Sequence, residues 1–185
     1  MRWPLRASER HRLAHPRKLR LADRHPARKG TPTSPRKRGE ARAATGSARV
    51  LDVGTGTGVL AIAAARTLRG AVLAGDIDPM SVRLARQNAR LNRAGVTVIH
   101  ARGLGDRRLR DGGPYDLVFA NILLGPLKGL AKAIGAAVAP GAFVVLSGLL
   151  PVQVNAALAA YRAHGLVLVQ RIPLDGWATL VLRRP

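Results

Sequence analysis

Apolar and polar positions switch between two rhythms from residue 49 to the end of the chain. Short apolar runs predict strands over 49–53, 71–77, 96–100, 115–121, 142–148, 166–172 and 176–182. Between them, apolar residues recurring every three or four positions predict helices over 58–68, 79–94, 126–138 and 151–164. Several joints are punctuated. Asp78-Pro79 opens a helix, Gly95 closes it after Asn92, Pro140-Gly141 is a turn and Gly165 ends the last helix. Alternating strands and helices imply a mainly parallel sheet with helices on both faces. Only Pro173 to Asp175 separate the last two strands, too few for a parallel crossover, so these must pair antiparallel. The predicted class is α/β, a doubly wound, mostly parallel seven-stranded sheet ending in an antiparallel hairpin.

Residues 1–45 follow neither rhythm. Five prolines, many arginines and Thr31-Pro-Thr-Ser-Pro35 predict a disordered or loosely ordered segment, which divides the chain into 1–45 and a folded domain over 46–185. Charge sharpens this division. The chain carries 31 Lys+Arg against 10 Asp+Glu, a formal +21, and residues 1–49 hold 15 of those basic residues against Glu9, Asp23 and Glu40. Such an excess favours polyanions, and non-specific RNA contact through the basic segment is expected. Two Phe, two Tyr and two Trp offer few platforms for stacked bases. The absence of cysteine excludes disulfides and thiolate metal sites and suits the cytoplasm. His11, His15 and His25 have no acid or cysteine to complete a metal site, and His100 and His164 stand singly at element ends. Ala133 to Tyr161 carries no charge, yet Pro140-Gly141, Pro151, Ser147, Gln153 and Asn155 interrupt it. It reads as helix, strand and helix of a core rather than a membrane span.

The chemistry concentrates where the first strand breaks into glycines, in Val50-Leu-Asp-Val-Gly-Thr-Gly-Thr-Gly-Val-Leu60. Gly54, Gly56 and Gly58 form a tight turn that a ligand can approach closely, followed at once by a helix N-terminus with free N–H groups. A dinucleotide fingerprint needs its third glycine at position 59, which is Val59. The Gly-x-Gly-x-Gly spacing resembles instead the turn of methyltransferases that use S-adenosyl-L-methionine, and implies their Rossmann-like sheet. Asp76 ends the second strand, where a carboxylate can accept ribose hydroxyls; a solvated strand end is the plainer reading. Asp78 reads as the N-cap of the next helix. Asp52, a charge inside a buried strand, needs partners, and the turn's N–H groups or the amine of a methionine moiety would serve. Thr55 and Ile77 flank these groups and complete the candidate cofactor set. Asn121 ends the fourth strand at the cleft and belongs to both the catalytic and the cofactor-binding candidates. Its carbonyl oxygen can meet an incoming amine and its NH₂ the backbone or cofactor, with a loop cap as the rival reading. Asp116 starts that strand on the far side and reads as structural, while Gly103 and Asp106 fall in the loop after the third strand.

Asp76-Ile-Asp-Pro79, Ala120-Asn-Ile-Leu-Leu-Gly-Pro-Leu127, Leu146-Ser-Gly-Leu-Leu150 and Gly176-Trp-Ala-Thr-Leu-Val-Leu182 follow the glycine turn in order. With them, residues 49–185 resemble the PrmA-type methyltransferases that modify large-subunit ribosomal protein eleven. The resemblance implies methylation of lysine and N-terminal amines of that protein. Gly54, Gly56 and Gly58 would hold the methionine end of the cofactor, Asp76 its ribose, and Asn121 would stand at methyl transfer. It also implies an N-terminal recognition domain and a Phe-Gly-Thr-Gly-x-His-x-Thr-Thr segment before the first strand, neither of which is present. Residues 1–45 in their place read as an out-of-frame or mis-started segment, with a genuine basic tail and a presequence as alternatives. Two other functions fit the same residues: an RNA or small-molecule methyltransferase, and a non-catalytic RNA-binding remnant.

Overall fold

The computed structural model describes residues 47–185. The expected disorder of 1–45, its boundary and its RNA contact lie outside the described residues. The elements are β1 (Ala48–Val53), α1 (Val59–Thr67), β2 (Gly70–Asp76), α2 (Pro79–Leu91), β3 (Val96–His100), α3 (Arg107–Asp111), β4 (Tyr115–Ala120), α4 (Leu124–Gly129), α5 (Ala131–Ala137), β5 (Val138–Leu149), a 3₁₀ turn (Pro151–Gln153), α6 (Val154–Arg162), β6 (Val167–Leu174) and β7 (Trp177–Arg183).

All seven strands form one sheet in the order β3-β2-β1-β4-β5-β7-β6. The first five are parallel, while β7 runs antiparallel to both β5 and β6. The strand order reverses at β1 and β4, so their carboxyl ends flank the crevice where ligands bind in doubly wound sheets. Alternation along the strands divides the core between two faces. Val50, Val72, Ala74 and Val98 pack with Ala61, Ala64, Val82 and Ala85 of α1 and α2. The opposite face is larger and carries Leu51, Ile99, Val118, Val144, Leu146 and Leu180 against Leu109, Leu127, Ile134 and Tyr161. Two buried hydroxyls brace this second side: Tyr115 of β4 donates to the Leu109 carbonyl of α3 at 2.5 Å, and Tyr161 of α6 to the Leu127 carbonyl of α4 at 3.1 Å.

Four local expectations differ from the structure. The helix expected over 126–138 is two, α4 and α5, meeting at Leu130, whose side chain lies against the α-carbon of Gly103. Pro140-Gly141 does not end a strand. It forms a bulge within β5, where Gly141 takes φ +79° and its N–H donates to the Arg184 carbonyl at 2.7 Å. Helix α2 is closed by Arg93 in the left-handed region (φ +50°), not by Gly95. Its last-turn carbonyls are used by the Arg93 N–H on Arg90 and the Ala94 N–H on Ala89. Helix α3, a single turn, has too short a sequence to show a period. Asp106 caps it by accepting the Arg108 N–H at 2.8 Å, and Leu109 anchors it in the core. Among the described residues, no helix is long and apolar enough to cross a membrane; the uncharged stretch 133–161 spans α5, β5 and α6.

Candidate active site

Strand β1 delivers the chain into the glycine turn with all three glycines left-handed, at φ +71°, +55° and +87° for Gly54, Gly56 and Gly58. The same conformation serves three different purposes. A Cβ on Gly54 would overlap Ile122 Cγ2, so this glycine lets the loop after β4 close over the turn. A Cβ on Gly58 would stand 3.2 Å from that of Ala85, so this glycine lets α1 and α2 pack. At Gly56 a Cβ would meet nothing within 4 Å. Packing adds a second reason for glycine at Gly54 and Gly58; at Gly56 the left-handed backbone alone asks for it, and the space beside it is open.

The turn is held from below by the two acids the sequence singles out. Asp52 is buried, and its Oδ2 accepts the Thr55 hydroxyl at 2.6 Å and the Ala61 N–H at 3.2 Å. Gly58 provides no side-chain cap for α1, so Asp52 caps that helix from the neighbouring strand. Burial pushes the Asp52 carboxyl above the ordinary carboxylate range, against the opposing pull of these two hydrogen bonds. Asp76 bridges the turn to the next loop. Its Oδ2 accepts the Gly56 N–H at 2.8 Å and its Oδ1 the Asp78 N–H at 3.0 Å. Two of its lone-pair positions stay available to further donors. The Gly54 and Thr55 N–H groups both donate to the Gly75 carbonyl, at 2.8 and 3.1 Å, and lock β1 and β2 together at the crevice.

Beside this turn lies a cavity of about 720 Å³. It is lined by Val53 and Gly54 after β1, Asp76 and Ile77 after β2, Ala101, Arg102 and Gly103 after β3, and Ile122, Leu123, Pro126, Gly129 and Leu130 after β4. Its size falls in the range of small-molecule sites. Of the residues expected at a cofactor, Gly54, Asp76 and Ile77 are on its wall. Asp52, Thr55, Gly56 and Gly58 are not on it: Asp52 and Thr55 brace the turn, and Gly56 is tied to the wall only through its hydrogen bond to Asp76. Asp78 caps α2 by accepting the Met80 and Ser81 N–H groups and the Ser81 hydroxyl, and these bonds hold its carboxyl below the usual range. Asp106 likewise serves α3, and hydrogen bonds from Arg108 hold it at about 2.

Asn121 follows β4 and is solvent-exposed at the crevice, off the cavity wall, although Ile122 and Leu123 beside it line that wall. Its Oδ1 lies against the α-carbon of Gly148, a left-handed residue of β5 (φ +72°). Sequence reasoning passed over the Ile122-Leu123 pair and Leu130. Their only signal was an apolar residue where a strand-to-helix loop should be polar, and Leu123 remains 80% exposed. Among the described residues, no cluster of His, Asp or Glu could hold a metal ion.

The profile of the family described as "Ribosomal protein L11 methyltransferase (PrmA)" matches residues 40–185. The chain belongs to this family. It is 56% identical over 137 residues to a ribosomal protein L11 methyltransferase of Bradyrhizobium diazoefficiens, covering 73% of this chain and 46% of that protein. It is 54% identical over 137 residues to one of Caulobacter sp., covering 74% and 48%. The chain therefore spans about half the length of the curated relatives it matches. A solved structure of ribosomal protein L11 methylase from Lactobacillus delbrueckii subsp. bulgaricus superposes with a TM-score of 0.69 at 31% identity, covering 79% of this chain and 74% of that one. The Rossmann-like methyltransferase fold inferred from the glycine turn is the one the family has.

Proposed function

We propose that residues 46–185 form the catalytic domain of an S-adenosyl-L-methionine-dependent protein methyltransferase acting on lysine and N-terminal amines of ribosomal protein L11. The glycine turn at the carboxyl end of β1, with space open beside Gly56 and the Gly56 N–H bonded to Asp76 of the cavity wall, carries the reading. The cavity, which Ile122, Leu123 and Leu130 make largely apolar and to which Asp76 adds a carboxylate, suits a nucleoside with an amino-acid arm. In this reading Gly54, Gly56 and Gly58 admit the methionine portion, and Asp76 accepts the ribose hydroxyls through its remaining lone pairs. Ile77 flanks the nucleoside, while Asp52 and Thr55 hold the turn in shape. Family membership and the absence of cysteine support a cytoplasmic setting among ribosomal proteins.

When bound, the cofactor supplies a methyl group on a sulfonium, already electrophilic toward a neutral amine. The protein's part is alignment. Asn121 would accept a hydrogen bond from the incoming amine at its carboxamide oxygen and so aim the nitrogen lone pair. A lysine ammonium, with a pKa near ~10.4 in water, must first release its proton. The apolar surroundings of Ile122 and Leu123 favour the neutral form. Calorimetric titration with S-adenosylmethionine, followed by isotopic methyl transfer to purified L11 and to RNA, tests the proposal. Cofactor binding with label on L11 is the expected result. Label on RNA alone, or no cofactor binding, would overturn it.

A further inference from the structure

Between Asp78 and Asp106 the chain contains no acidic residue and five arginines, four of which stand on or just after α2. Arg83, Arg86 and Arg90 are spaced by three and four residues, which places them within an arc of about 60° on the helix, and Arg93 follows just past its end. All four are exposed. The arc faces the open edge of the sheet, because Arg86 reaches across to β3 and donates from Nε and Nη2 to the Val98 carbonyl at 3.1 and 2.8 Å. That bond blunts an edge strand and fixes the position of the row. Among the described residues, Arg83, Arg90 and Arg93 have no acidic partner. Arg93 moreover holds a left-handed backbone, a position where glycine is the low-energy choice and where an arginine carries a conformational cost.

We infer that this row is a docking face for the phosphate backbone of a nucleic-acid duplex, RNA being the source expected beside a ribosomal protein. Arg83 to Arg90 rise about 10 Å along α2, which matches about three phosphates of one duplex strand at ~3.4 Å of axis each, and Arg93 extends the row past the helix end. Guanidinium groups suit this role because their planar donor forks pair with phosphate oxygens. A surface that served solubility alone would not need four cations in one register with no interleaved acid, and its helix end would not need Arg93. A membrane surface fits less well. The exposed apolar residues of α2, Met80, Leu84 and Leu91, lie on a different arc from the arginines, so one plane does not bring both to a bilayer. The choice of RNA rests on the proposed ribosomal-protein substrate, whereas the phosphate-binding face itself rests on the α2 arginines alone.

The test is fluorescence anisotropy of the full 185-residue chain with labelled RNA and DNA duplexes of about 16 base pairs, over a range of salt. The variant Arg83→Gln/Arg90→Gln/Arg93→Gly is compared with Arg162→Gln/Arg171→Gln/Arg183→Gln, which removes the same charge elsewhere. The first variant should lose tenfold or more in affinity, with a salt slope smaller by about two to three, and the second much less. Whichever duplex is bound at the lower concentration names the source. Arg93→Gly alone relieves a left-handed backbone, so its melting temperature should hold or rise while affinity falls, separating contact from folding. Equal losses in the two triple variants would show that net charge alone matters and would overturn the proposal. So would binding to phosphatidylserine vesicles that depends on the α2 row when duplex binding does not.

Discussion

The carboxamide oxygen of Asn121 lies against the α-carbon of Gly148, so the side chain proposed to aim the substrate amine rests on a glycine of the neighbouring strand. Gly148 sits at a register shift between β5 and β7, after Leu146↔Leu180 and before Leu149↔Ala178, and its left-handed φ of +72° belongs to that irregularity. Gly148→Ala would force the Asn121 carboxamide aside. Misplacing a group by about 1 Å can reduce a rate by ~100-fold. The expected result is a fall of tenfold or more in methyl transfer to L11, with cofactor affinity by calorimetry within about twofold of the parent. Unchanged turnover in a folded variant would remove Asn121 from the reaction.

Alanine at Gly56 and alanine at Gly58 share one penalty and differ in another. Both force an L side chain into the left-handed region, which costs about 1–2 kcal/mol. At Gly58 the new methyl presses on Ala85 between α1 and α2, whereas at Gly56 it enters empty space. Gly58→Ala should therefore show the larger drop in Tm, and Gly56→Ala the larger drop in cofactor affinity per degree of Tm lost. Gly56→Val should abolish cofactor binding in calorimetric titration. Retained affinity in Gly56→Val would refute the assignment of the turn.

Asp76 is expected to act twice, once on the turn and once on the ligand. Asp76→Ala leaves the Gly56 and Asp78 N–H groups without their acceptor and removes the proposed ribose contact. Cofactor binding should weaken by about 1–3 kcal/mol. Asp76→Asn keeps one carbonyl oxygen and should recover part of the loss. Asp78→Ala touches only the α2 cap, so it should lower Tm and leave affinity nearly intact. If Asp78→Ala alone weakens binding, the ribose carboxylate has been misassigned.

The sheet and the left half of the site were legible because each rested on local spacing. Glycines at alternate positions, an acid at the end of β2 and three residues between the last strands need no knowledge of partners. What was illegible depended on contacts distant in sequence. Asp52 read as needing either the turn's N–H groups or an amine, and the sequence did not single out the Ala61 N–H of α1, which it accepts across the strand–helix boundary. Gly54, Gly56 and Gly58 look alike in the sequence, and only Ile122 and Ala85 tell them apart. Pro140-Gly141 carries every mark of a turn, yet the pairing of β5 with β4 stands on both sides of it, at Val138 and at Phe143, with a bulge between. Likewise Gly95 was the obvious helix stop, and Arg93 took the left-handed position ahead of it.

Asp52 and Asp106 should give opposite pH dependences of folding stability. Hydrogen bonds from Arg108 hold the Asp106 carboxyl at about 2 in the folded chain, below its ordinary value of 3.8. Between those values the unfolded chain binds a proton that the folded chain does not, so this contribution is present above 3.8 and is lost as pH falls toward 2. Burial raises Asp52, so just above 3.8 the folded chain holds the extra proton, and stability falls as pH rises through the folded pKa. Asp106→Asn should flatten the acid limb of a plot of Tm against pH, lowering Tm near neutrality. Asp52→Asn keeps an acceptor for Thr55 and Ala61 without the buried charge, and should remove the loss on the alkaline side of its window. Parallel pH profiles for the parent and Asp52→Asn would mean that the Asp52 carboxyl titrates alike in the folded and unfolded chains.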